Sequence, residues 1–247
     1  MATSYPDYVA RFYDVVYAHL RTQDHDFYLK KIKESKGPVL EIGVGTGRFF
    51  LEALSSGADV YGIDSNKTML MILKDHLEPA DHYRISLQDA EAFSLDRKFD
   101  LIISPFRVFS HLVTIEQQLN VLERVHYHLK DSGRFIFDLF VPDMKLEIRN
   151  NIDFDGEYEP GKKLRRTTSV VRNPIEQVNN VTMQYEWDEG GKWNSESWTF
   201  PMRYYFRWEL EHLIARSPLT LESIYGDYLE NPLTNNSKDF VVMCKRT

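Results

Sequence analysis

Pro38-Val39-Leu40-Glu41-Ile42-Gly43-Val44-Gly45-Thr46-Gly47-Arg48, answered further on by Val60-Tyr61-Gly62-Ile63-Asp64, decides the fold of this chain. The first segment reads as a buried strand entering a glycine-rich turn. The second reads as another buried strand with an acid at its tip. A helix between them completes a βαβ unit of the nucleotide-binding kind. Gly43, Gly45 and Gly47 let the main chain turn sharply and leave its atoms open to a ligand that a Cβ would keep away. Asp64 stands about 20 residues beyond the turn, where a carboxylate can accept hydrogen bonds from ribose hydroxyls.

Glycine spacing separates two cofactors. A dinucleotide fingerprint is G-x-G-x-x-G/A. Counting from Gly43, the sixth position here is Arg48, which would spoil the close helix–strand contact that a third glycine permits. The pattern is instead acid-x-G-x-G-x-G, from Glu41 to Gly47. It resembles the first motif of the class I S-adenosylmethionine-dependent methyltransferases. Later segments resemble that family in order: Asp64-Ser65-Asn66-Lys67-Thr68-Met69-Leu70, Ile85-Ser86-Leu87-Gln88-Asp89-Ala90-Glu91, Lys98-Phe99-Asp100-Leu101-Ile102-Ile103-Ser104-Pro105-Phe106 and Gly133-Arg134-Phe135-Ile136-Phe137-Asp138-Leu139-Phe140. The resemblance spans roughly residues 5–140 and resumes near 204–247.

The resemblance implies S-adenosyl-L-methionine as cofactor and assigns a set of binding residues. Glu41 goes to the loop and the methionyl ammonium, with Gly43, Gly45 and Gly47 as the floor. Asp64 goes to the ribose, with Ser65 and Met69 around it. Asp89 and Ala90 go to the adenine, and main-chain groups at Ser104 and Phe106 to the methionyl portion. Tyr13 and Tyr17 could set electron-rich ring faces near a sulfonium or a cationic amine, or could pack on the sheet.

Composition sets outer bounds. The chain has 247 residues, 43% hydrophobic and 27% charged, with a net charge of −7. These values are ordinary for a globular protein and speak mildly against nucleic acid as the main partner. No apolar run approaches a membrane span, and the N-terminal residues do not read as a secretory signal. With one cysteine, Cys244, no internal disulfide can form. The expectation is a cytoplasmic protein acting on a small molecule. The exception to the acidic balance, Lys162-Lys163-Leu164-Arg165-Arg166, reads either as a solvated hairpin end or as a patch for an anionic substrate.

Periodicity places the elements. Phe12, Val16 and Leu20 share one helical face, with Tyr13 and Tyr17 beside it. This predicts an aromatic helix over about 5–20, and a second helix over about 24–35 completes an N-terminal cap over 1–36. Strands are predicted near 39–42, 59–63, 82–87, 99–104 and 133–140, alternating with helices near 47–56, 67–77 and 115–130. Ser65 or Asn66 suits an N-cap, and Thr114 with Gln117 a capping box. After Pro142 the pattern changes. Three or more antiparallel strands are predicted, at about 163–172, 177–187 and 196–206, with turns at Asn173-Pro174 and Gly190-Gly191. A helix over 208–216 and strands near 219–226 and 239–245 complete the chain. The expected fold is α/β: a Rossmann-like doubly wound seven-stranded sheet, with an antiparallel β insertion over 150–207 after the fifth strand.

The acceptor is less legible. Ser104-Pro105-Phe106-Arg107 lacks the second proline found in methyltransferases of nucleobase or amide nitrogens, which disfavours such targets. Arg107 and His111 lie just past the fourth strand and are the candidate catalytic residues, to orient an acidic group or accept a proton. No metal-ligand spacing occurs. Trp187, Trp193, Trp198, Tyr204 and Tyr205 could line a substrate pocket, form a homodimer contact through the insertion, or fill the insertion's own core. The expected activity is methyl transfer to nitrogen or oxygen of a small molecule. The alternatives are an RNA or protein methyltransferase, or a non-catalytic cofactor-binding protein on the same fold.

Overall fold

The computed structural model describes residues 5–17, 23–144 and 148–246. Five parallel strands form first: β1 (Val39–Ile42), β2 (Val60–Asp64), β3 (Ile85–Leu87), β4 (Phe99–Ser104) and β5 (Leu129–Phe140). Helices α3 (Phe50–Ser55), α4 (Lys67–Asp75) and α5 (Ile115–His128) connect them, and α1 (Asp7–Tyr17) and α2 (Gln23–Glu34) precede them. After β5 the chain leaves this sheet for four strands, β6 (Ile148–Glu159), β7 (Lys162–Asn173), β8 (Val178–Glu189) and β9 (Lys192–Arg203). It returns through α6 (Arg207–Ala215) to β10 (Leu219–Tyr225) and β11 (Asp239–Arg246). The main sheet has the order β10-β11-β5-β4-β1-β2-β3, with β10 and β11 antiparallel to their neighbours. The second sheet is an antiparallel meander, β6-β7-β8-β9.

The expected seven-stranded sheet and its insertion are both present. Some details differ from the expectation: β3 covers only Ile85–Leu87, with a 3-10 turn over Pro79–Arg84 before it. β5 begins at Leu129 rather than near 133, because Phe99 pairs with Leu129 ahead of a register shift in β4. The insertion has a strand, β6, that the residue pattern did not announce. The outer part of the expected first helix, 18–20, lies outside the described residues, as do 1–4.

Alternation along β1 explains why the sheet is covered on both faces. Leu40 and Ile42 join Phe135, Phe137 and the apolar faces of α5 and α6, while Val39 joins Val60, Ile103 and residues of α2, α3 and α4. Glu41 therefore points with Val39 into the second of these layers. The helix starts follow local chemistry. Asn66 caps α4 by accepting from Met69 N at 2.9 Å, and Thr114 and Gln117 form the capping box of α5.

Helix α1 ties the two sheets together. Its apolar side, Val9, Phe12 and Val16, is buried against Leu164, Tyr185 and Trp187 of the second sheet. Its polar side reaches the main sheet's loops. Thr46 donates to Asp14 at 2.5 Å and Thr68 to Asp7 at 2.6 Å, and just ahead of the helix the Tyr5 carbonyl accepts from Asn66 Nδ2 at 2.9 Å. Burying each large apolar side chain contributes about 1.5–3 kcal/mol, so the helix is held mainly by its contact with the second sheet. Among the described residues, no helix is long and apolar enough to cross a membrane.

Candidate active site

The site is built on the turn after β1. Gly43, Gly45 and Gly47 all have positive φ, at 75°, 55° and 95°. Their surroundings differ. A Cβ on Gly43 would meet Val108 at 2.5 Å, and one on Gly47 would meet Leu73 at 2.4 Å. A Cβ on Gly45 would meet nothing within 4 Å. Two of the glycines thus permit close packing, and Gly45 opens onto a crevice at the carboxyl ends of the strands, where ligands of such sheets bind.

Asp64 closes the turn. Gly45 N donates to its Oδ2 at 2.9 Å and Asn66 N to its Oδ1 at 2.8 Å. Each oxygen keeps lone-pair capacity for a further donor. Burial raises the pKa of this carboxyl, and the backbone donors work against that rise. Asp89 makes an equivalent short turn, accepting from Glu91 N at 2.9 Å.

One crevice collects Tyr13, Gly43, Gly45, Asp64, Ser65, Met69, Asp89, Ala90, Phe106 and His111. The other sequence candidates are not part of its lining. Glu41 is 1% exposed, and its Oε2 has no hydrogen-bond partner among the described residues. Burial, with Asp64 second, lifts its pKa well above the ordinary carboxylate range, against a lowering by Arg48. Gly47 faces Leu51 and Leu73. Ser104 is buried at the end of β4. Tyr17 lies one ring away, 4.5 Å from Tyr13 and 5.2 Å from Phe106 between centroids.

The candidate catalytic pair divides. Arg107 donates to Asp239 at 3.0 Å and lies over Phe140, so its guanidinium is directed to the β11 side. His111 lines the crevice, stacked on Phe200 at 5.5 Å. Burial pulls its pKa down to about 4, which keeps it neutral near pH 7 and makes it a weak base. Phe106 and Arg107 are consecutive non-glycine residues with left-handed φ, 60° and 63°. Such conformations cost about 1–3 kcal/mol each and gather at functional sites. Here the kink sends the two side chains to opposite sides, Phe106 toward Tyr13 and Tyr17 and Arg107 toward Asp239.

Arg48 resolves the oddity in the glycine motif. Its guanidinium folds back onto Asp24 of α2 with contacts of 2.8 and 2.9 Å, and also lies 5.3 Å from the Phe106 ring centroid. It therefore braces the turn against α2. Sequence reasoning missed Tyr5, Gln88 and Glu91 as crevice residues. Tyr5 had a signal, since the residue before a proline is held extended, outside the helix.

Comparisons with known proteins agree with this geometry. Residues 39–133 match a family described as a methyltransferase domain. An uncharacterized methyltransferase of Bacillus thuringiensis is 30% identical over 124 residues, which is 50% of this chain and 57% of that protein. The match thus spans little more than half the relative's length. Among solved structures, an S-adenosylmethionine-dependent methyltransferase from Clostridium acetobutylicum superposes with a TM-score of 0.78 at 19% identity, covering 97% of this chain and 98% of that one. The sugar N-methyltransferase KedS8 from Streptoalloteichus gives 0.76 at 15% identity, covering 100% and 98%. Residues 39–133 thus resemble a methyltransferase domain, and the chain has the fold of these S-adenosylmethionine-dependent methyltransferases.

Proposed function

We propose that this chain is an S-adenosylmethionine-dependent methyltransferase acting on the nitrogen of a small-molecule amine. The residues fit the cofactor. Glu41 offers a buried oxygen without a partner, suited to an ammonium, and Asp64 retains acceptor capacity for ribose hydroxyls. Gly45 leaves main chain open beside them. When bound, S-adenosylmethionine supplies a methyl carbon already activated by a positively charged sulfur, so the protein's work is orientation and exclusion of water.

Tyr5, Tyr13 and Phe106 line the crevice with aromatic surface, and α1 covers it. Tyr17 extends that surface toward the second sheet. Ring faces there favour a group that becomes cationic as the new bond forms.

Nitrogen is favoured over oxygen by the setting of His111, enclosed in the crevice wall against the Phe200 ring. A hydroxyl acceptor must lose its proton as the bond forms, and a histidine held down to about 4 is poorly placed to take it. A neutral amine brings its own lone pair and can shed its proton to solvent after transfer. The sugar N-methyltransferase likeness supports the same acceptor atom. Transfer of a radiolabelled methyl group to pooled metabolites, tRNA and protein extract tests the proposal. Label in low-mass amines supports it, and label only in the macromolecular fractions would overturn it.

A further inference from the structure

The crevice is smaller than the ligand proposed for it. Its volume is about 130 Å³, whereas sites that enclose small organic ligands run to about 300–1,000 Å³. One side must therefore draw back before the cofactor can enter. Most of the lining belongs to the main sheet and its connections. Tyr5 and Tyr13, ahead of and within α1, supply the covering side.

The ties of that side are of two kinds. Toward the main sheet they are polar and flank the crevice. Thr46 donates to Asp14, Thr68 donates to Asp7, and Asn66 Nδ2 donates to the Tyr5 carbonyl. Water can replace each partner once the contact opens, so parting these groups costs little. Toward the second sheet the ties are mainly apolar. The Phe12 ring lies 5.0 Å from Tyr158 and 6.2 Å from Tyr185 between centroids, and the Tyr5 ring lies 4.6 Å from Trp198. Parting these rings would expose aromatic surface to water. Arg11 adds an ion pair to Glu189 at 3.3 Å, where β8 turns into β9. The opposite end of the β8–β9 ladder is fastened to α6 instead. There Glu209 accepts from Arg203 Nη2 at 2.6 Å and from Gln177 Nε2 at 2.7 Å.

We propose that α1 and the second sheet form one lid, pivoting at α6, which lifts away from Thr46, Asn66 and Thr68 to admit and release the cofactor. This rests on the reading of the crevice as the cofactor site of a methyltransferase. The apolar ties hold α1 to the second sheet while the polar ones part, so the two elements move together.

Exchange of tritiated S-adenosylhomocysteine on the full chain, with two pairs of introduced thiols, tests this. Asp7→Cys with Thr68→Cys joins α1 to the main sheet through a short bifunctional thiol reagent. Arg11→Cys with Glu189→Cys joins α1 to the second sheet through a longer one. Cys244 is buried and stays out of the reaction. The first link should slow uptake and release about tenfold or more, as a locked lid would. The second should leave both rates within about twofold, because the residues it joins travel together. Unchanged exchange with the first link would overturn the lid, and equal slowing by both links would overturn the joint movement of α1 and the second sheet. Thr68→Val removes one tie without a thiol and should speed release about twofold or more. Unchanged or slower release in that variant would also overturn the lid. Binding of S-adenosylhomocysteine to the unlinked chain, measured first, separates the two failures: its absence sinks the methyltransferase reading itself.

Discussion

Replacing Glu41 by glutamine should move folding stability and ligand affinity in opposite directions. The carboxyl is buried, Oε2 has no hydrogen-bond partner among the described residues, and burial lifts its pKa well above the usual range. The folded chain therefore holds this proton more tightly than the unfolded chain does. Glu41's contribution to stability is whole below the unfolded value of 4.5 and is lost as pH rises toward the folded one. The loss accumulates at about 1.4 kcal/mol per pH unit over that window. Glutamine keeps the shape and does not titrate. The melting temperature of Glu41→Gln should thus overtake that of the wild type as pH rises from about 5 to 8, by roughly 2–4 °C per kcal/mol for a chain of this size. Affinity should go the other way. A charge-assisted hydrogen bond to an ammonium contributes about 1.5–3 kcal/mol, so S-adenosylhomocysteine should bind roughly 10- to 100-fold more weakly. Thermal melts across pH and calorimetry on the same two proteins read both effects. A variant that loses stability at neutral pH yet binds as tightly as the wild type would refute the reasoning.

The two kinds of turn glycine should separate. Gly47→Ala forces a Cβ onto Leu73 at positive φ and should cost about 1–3 kcal/mol of stability, seen in denaturant melts. Gly45→Ala should cost about 1 kcal/mol through its φ alone, and chiefly impair binding of S-adenosylhomocysteine. Because His111 is held down to about 4, the pH profile of kcat/KM should show no ionisation from it between about pH 6 and 8, and His111→Gln should leave the shape of that profile unchanged. Arg107→Ala breaks a partly exposed pair with Asp239 and should cost up to about 1 kcal/mol in stability, with turnover within about twofold of wild type.

The α/β core was legible because each of its signals is local. Buried strands such as Val39–Ile42 and Phe99–Ser104 are continuous apolar runs apart from Glu41, Asp100 and Ser104, and Asn66 and Thr114 declare helix starts by their side-chain chemistry. Strand β6 was not legible. Asn150, Asn151, Asp153, Asp155, Gly156 and Glu157 carry no strand pattern, and their extended form depends on pairing with β7. Missing β6 also hid the division inside Lys162–Arg166. Arg165 is an exposed partner of Asp155, whereas Arg166 is buried against Asp153. A run of basic residues read without its neighbouring strand looks uniform. The fate of Arg107 was hidden for a related reason. Its guanidinium is directed by a left-handed backbone at two consecutive non-glycine residues, and Asp239 is 132 positions away.

The central claim is that the crevice at Gly45 and Asp64 holds the adenosyl cofactor of a methyltransferase. Calorimetric titration of the wild type and Asp64→Ala with S-adenosylhomocysteine and with NAD tests it most directly. The account predicts one S-adenosylhomocysteine site per chain, much weaker binding of NAD, and a loss of about tenfold or more in Asp64→Ala as the ribose contacts go. Tighter binding of NAD, or an Asp64→Ala variant that binds S-adenosylhomocysteine as well as the wild type, would contradict it.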